Sequence, residues 1–199
     1  MSDETLIPLP ASIRPVNAVR STLIQSSINT LRERGHYDRY LGLLAERHRE
    51  QILHTLAPEW LPIEVGIAHY AACDALHLPD AELTAVGESV GHRIQGTFIS
   101  TLVKKARTMG LTPWLILGQF QRLWERLIQG GATSLIKRGP KDAIVEVRML
   151  PLARFDYFRA GFCGVILSGI KIGAGRAATV RVSDLRNVES RLLFKASWV

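Results

Sequence analysis

The chain has 199 residues, 47% hydrophobic and 22% charged, with 25 Lys and Arg against 18 Asp and Glu for a formal net charge of +7. That composition belongs to one ordinary globular domain able to bury a core, and it excludes collagenous, low-complexity, disordered and supercharged classes. Two cysteines, Cys73 and Cys163, are too few for a disulfide scaffold, and no apolar run reaches the roughly 18 residues of a membrane span, so a soluble, cytoplasmic protein is expected.

Residues 1–15 carry Pro8, Pro10 and Pro15, which deny them a continuous helix, and they read as a flexible arm. A helical lobe follows over 16–131. Leu23, Ile24, Ile28 and Leu31 recur at helical spacing within 21–34, and Gly35 stands where a left-handed cap would stop the helix. Tyr37, Tyr40, Leu41 and Leu44 mark a second short helix, and Ile52, Leu53 and Leu56 a third before Pro58. Pro62 opens a helix that runs to about residue 77. The longest helix spans 80–107, its stripe being Leu83, Val86, Val90, Ile94, Phe98, Leu102 and Val103. Gly87, Gly91 and Gly96 interrupt it, and since each costs about 1 kcal/mol relative to Ala, they imply a kink or close approach by another backbone. Thr112-Pro113 starts one more helix, with Trp114, Leu117, Phe120, Trp124 and Leu127 on one face, ending at Gly130-Gly131.

Beyond Gly131 the period changes. Residues 133–137 and 143–150 read as a hairpin around Arg138-Gly139-Pro140-Lys141, 155–172 as an apolar helix, and 178–182 and 191–199 as two further strands. The expected fold is therefore α+β, an N-terminal helical lobe packed on a C-terminal β-β-α-β-β antiparallel sheet over 132–199. Charge divides at about the same place: residues 1–99 carry 8 basic and 12 acidic side chains (net −4), residues 100–199 carry 17 and 6 (net +11). Such asymmetry serves either an anionic partner or self-complementarity within or between chains, and self-complementarity is the simpler reading.

Candidate chemistry is sparse. His69, Cys73 and His77 recur every four residues on one helix, so an adjacent pair such as His69–Cys73 can present zinc or haem-iron donors together. Three in a row cannot meet one ion, because eight residues of helix rise about 12 Å. His92, beside Gly91, is a further conceivable haem ligand. The structural alternatives are a small core cysteine, a hydrogen-bonded core histidine and solvated histidines at 77 and 92. Lys104, Lys105, Lys137, Arg138 and Lys141 form basic runs that could hold an anion; a helix end and a hairpin turn explain them equally, and aromatic interleaving of the kind that stacks bases is absent, so nucleic acid is not expected. No Gly-x-Ser-x-Gly elbow or phosphate loop occurs, and an enzyme is not expected.

The order of helices, hairpin, glycine-bearing helix and two last strands resembles the group of haem-nitric-oxide-binding, 4-vinyl-reductase-like and TRAPP-subunit domains. A second resemblance, to an uncharacterised family expanded in myxobacteria, rests on Arg34-Gly35-His36-Tyr37, Tyr40, Leu43-Leu44, Val86-Gly87, Phe158-Arg159-Ala160-Gly161-Phe162-Cys163-Gly164-Val165-Ile166 and Ser197-Trp198. These resemblances imply a space between helices and sheet for a small apolar ligand or a partner surface. They do not carry over a haem site, because the Tyr-x-Ser-x-Arg propionate clamp of the haem-nitric-oxide group is missing. The expected function is a non-enzymatic sensory or scaffold domain, a homodimer binding a small apolar ligand or a protein. A haem or zinc protein is the first alternative, and an anion-binding module the second.

Overall fold

A computed structural model describes residues 3–56, 58–106, 112–174, 178–182 and 190–199, with the backbone alone for 95–106. Strands β1 (Glu4–Ile7) and β2 (Ala18–Arg20) precede α1 (Ser21–Glu33), α2 (Tyr37–Leu43) and α3 (Glu46–His54). Strand β3 (Trp60–Pro62) leads into α4 (Ile63–Asp74), α5 (Asp80–Ala106), α6 (Pro113–Leu117), α7 (Phe120–Leu127) and β4 (Ile128–Gln129). The C-terminal part is β5 (Ala132–Gly139), β6 (Asp142–Arg148), α8 (Asp156–Ala174), β7 (Ala178–Val182) and β8 (Leu192–Trp198). The α+β architecture expected from the sequence is the one found.

Helix α1 forms where its stripe lies: Leu23, Ile24, Ile28 and Leu31 are buried together, and Gly35 at φ +76° lets the His36 N–H donate to the Leu31 carbonyl and close the last turn. Thr112 accepts the Leu115 N–H at 3.3 Å and caps α6, with Pro113 in its first turn. The single helix expected from Thr112 to Gly130 is two, because the chain turns at Gly118-Gln119, where the Gly118 N–H donates to the Trp114 carbonyl.

The main sheet has five antiparallel strands in the order β1-β5-β6-β8-β7, one more than the β-β-α-β-β pattern supplies. The extra strand comes from the segment read as an arm: Thr5 and Ile7 pair with Ile136 and Leu135 of β5, and Glu4 and Asp3 meet Lys137 and Arg138 across the edge. A second, three-stranded sheet, β3-β2-β4, joins Ala18–Arg20 to Trp60–Pro62 and Ile128–Gln129 and ties the start of α1 to the start of α4 and the end of α7.

Helix α8 is the centre of the molecule. On one side it meets the sheet, with the Phe162 and Phe194 rings 5.6 Å apart, and on the other it meets α5 backbone to backbone. A Cβ on Gly87 would lie 1.8 Å from the Gly161 carbonyl oxygen, and one on Gly164 would lie 2.1 Å from that of Thr84. Glycine is required at both positions because the helices approach more closely than any side chain permits. The aromatic rings of Phe120, Trp124 and Phe158 complete the packing around Phe162.

Candidate functional site

The interior between α1, α4, α5 and α8 holds a crevice of about 30 Å³. Its walls are mainly apolar, with Leu23, Val86, Val90, Phe158 and Val165 among them. It is roomy enough for a molecule of a few heavy atoms. The paired hydroxyls of Ser27 and Tyr157, 2.9 Å apart, form its polar end, and the Tyr157 N–H donates to Asp74 Oδ1 at 2.8 Å. Local sequence explains the placement: Ser27 sits on the α1 stripe four residues from both Leu23 and Leu31, and Tyr157 is in the first turn of α8.

Behind this wall lies a polar cluster centred on His69. Its imidazole is fully buried, with Nδ1 2.9 Å from the Tyr40 hydroxyl and Nε2 3.6 Å from Cys73 Sγ, and with the rings of Tyr40 and Tyr70 edge-on to it. Burial lowers the His69 pKa to about 3, so the ring is neutral at every ordinary pH. Burial also pushes the Cys73 thiol, and the Tyr40, Tyr70 and Tyr157 phenols, well above their usual values. The cluster is uncharged, which suits a rigid core and offers no thiolate nucleophile.

The structure thus brings His69 and Cys73 together and leaves His92 apart, exposed on α5. His77 lies beyond the end of α4 at φ +51°, its N–H donating to the Asp74 carbonyl at 3.0 Å, and lines a surface cleft with Cys73 and Asp74. Among the described residues no group of three or more His, Cys, Asp or Glu could hold a metal ion. Lys137 and Arg138 pair with Glu4 and Asp3 at 3.2 and 3.1 Å, and Lys141 is exposed in the hairpin turn. Lys104 and Lys105 lie outside the described side chains. Cys163 is buried in α8, its thiol pushed up to about 12 by burial. Sequence reasoning missed Ser27, Tyr40, Tyr70 and Tyr157 as members of this interior. Ser27 carried a local signal, a hydroxyl on an apolar stripe, and Tyr40 another, its place on the stripe of α2.

No helix among the described residues is long and apolar enough to cross a membrane. No family model matches the chain, and no curated protein does. Solved structures do match. An unliganded Fe(II) H-NOX protein from K. algicida aligns with TM-score 0.66 and 7% identity over 90% of this chain and 96% of its own, and its A71G mutant with TM-score 0.68. An oxygen-binding H-NOX domain related to soluble guanylate cyclases, in its oxygen complex, aligns with TM-score 0.56 and 16% identity over 89% of this chain and 94% of its own. The resemblance to the myxobacterial family finds no support in these comparisons, whereas that to the haem-nitric-oxide-binding group holds for the fold: nearly the whole chain is built like an H-NOX domain.

Proposed function

We propose that this chain is a non-enzymatic sensory domain that takes a small apolar ligand in the crevice between α1, α5 and α8. The observation that carries the reading is the H-NOX-like fold, with an apolar, hydroxyl-ended crevice at the junction of its main helices. The absence of catalysis from the proposal rests on the neutral His69 and the protonated Cys73 thiol. A homodimer remains part of the reading. Exposed Leu43 and the Ile67–Ala71 face of α4, which line one groove, are the apolar surface such pairing would use.

Haem is the second reading, and the fold neighbours favour it, because haem or Fe(II) is named for several of them. The donors singled out in this chain do not fit it. His69 has both ring nitrogens turned to Tyr40 and Cys73, and Cys73 borders a cleft shared with Asp74, Asp80 and Asp156, whose carboxylates would repel the propionates of a porphyrin. His92 is exposed on α5.

Two measurements on one preparation separate the readings. In xenon NMR, a saturable shift that Gly161→Ala abolishes supports the crevice, since the added Cβ enters it with no atom nearer than 3.9 Å. After incubation with haemin, a Soret band at one haem per chain makes haem the ligand. A chain that shows neither response contradicts the sensory proposal.

A further inference from the structure

Every side chain that lines the interior crevice is buried, so a ligand enters it only past a group that moves. One helical turn away lies a surface cleft of about 290 Å³, and the same three helices wall both spaces. On α4 the crevice has Tyr70 and the cleft has Cys73 and Asp74. On α5 the crevice has Val86 and the cleft Leu83, and on α8 both have Tyr157. Positions three or four apart share one face of a helix and are separated by about 5 Å along its axis, so the two spaces lie end to end with Tyr157 between them.

The backbone and the side chain of Tyr157 are held differently. Its N–H donates to Asp74 Oδ1 at 2.8 Å. The neighbouring Asp156 forms an ion pair with Arg159, which also donates to the Ala153 carbonyl at 2.9 Å, so the first turn of α8 is anchored on two sides. The phenol is tied by the 2.9 Å hydrogen bond between its hydroxyl and that of Ser27, with the Cys73 thiol beside the pair. A neutral hydrogen bond of this kind is a modest restraint that thermal motion breaks readily. The cleft has room for what it would release: an apolar cavity of about 150 Å³ holds benzene, and Leu78 and Leu83 supply apolar wall against which a phenol ring can lie.

We propose that this cleft is the mouth of the crevice and that Tyr157 is the residue that controls entry, its phenol leaving Ser27 and turning into the cleft to admit an uncharged molecule of a few heavy atoms. The proposal rests on the reading of the crevice as a ligand site. The charge of the mouth fits that class of ligand, because the carboxylates of Asp74 and Asp80 line it and oppose the approach of an anion. Tyr157 thereby sets how fast the crevice fills as well as forming its polar end.

Xenon exchange on the full chain, read by saturation transfer in xenon NMR, measures how fast the crevice fills. Tyr157→Phe and Ser27→Ala each remove the hydrogen bond that holds the phenol in place, and each should speed entry about fivefold, the value of one neutral hydrogen bond. Leu78→Trp fills the half-buried rim of the cleft that must receive the phenol. It should slow entry at least about threefold with xenon affinity unchanged, because Leu78 does not line the crevice and a filled cleft leaves the ring no space to turn. A change that merely loosened the core would speed exchange in all three variants, so the opposite signs are particular to controlled entry at Tyr157. Saturable xenon binding whose entry rate does not divide in this way overturns the proposal and leaves the crevice reading standing. No xenon shift in the parent or in any variant removes the crevice reading, and the entry route with it.

Discussion

His69 lies in the core with no charged partner among the described residues, so its neutral form is the folded one. Its pKa is near 3 in the folded chain and 6.5 in the unfolded chain, and between these values the unfolded state binds the extra proton. Folding stability should therefore fall as pH drops below 6.5, with His69 contributing a slope of up to about 1.4 kcal/mol per pH unit, and this contribution is complete above that pH. Denaturant unfolding between about pH 6.5 and 5, above the usual carboxylate range, measures the slope. His69→Gln retains a polar side chain near the Tyr40 hydroxyl and should flatten the profile relative to the parent. A parent whose stability does not change across that window would show that the ring is protonated or solvated in the folded chain.

The α5–α8 contact makes a prediction about elements, because one helix pair contains glycines with opposite roles. Gly87→Ala and Gly164→Ala put a Cβ 1.8 and 2.1 Å from backbone oxygens, so the helices must part, at an overpacking cost of about 1–3 kcal/mol that outweighs alanine's better helix propensity. Gly161→Ala, on the same helix, meets nothing nearer than 3.9 Å and should stabilise the protein by up to about 1 kcal/mol. Chemical denaturation of the three variants should give that difference in sign. The close approach was one of the two uses legible in the sequence for glycines inside the 80–107 stripe, a kink being the other, and Gly87 and Gly91 do face α8. Strands β1 to β4 were not legible. They are two to four residues long, too short to show alternation, and β1 finds its partner some 130 residues away. The same limit governs the site: His69 and Cys73 are visible as an i, i+4 pair, whereas Ser27 and Tyr157 meet only through tertiary packing.

At the scale of the whole molecule, the acidic and basic halves of the sequence answer each other within one chain. Asp3, Glu4 and Glu88 pair with Arg138, Lys137 and Lys171 across the division, and Arg148 and Arg191 both donate to the buried Glu146, at 2.6 and 2.7 Å. Part of the asymmetry is therefore answered within the chain. Any self-association should run through apolar surface such as that around Leu43, which salt does not screen. Sedimentation analysis at about 50 and 500 mM NaCl should give the same mass at both, because added ions weaken exposed charge pairs and leave apolar burial intact. The melting temperature should shift by a few degrees at most, since each exposed pair is worth about 0–1 kcal/mol. A mass that fell on going to high salt would mean that the basic half reaches a carboxylate of another chain, and would move the interface from α4 to the sheet-bearing lobe.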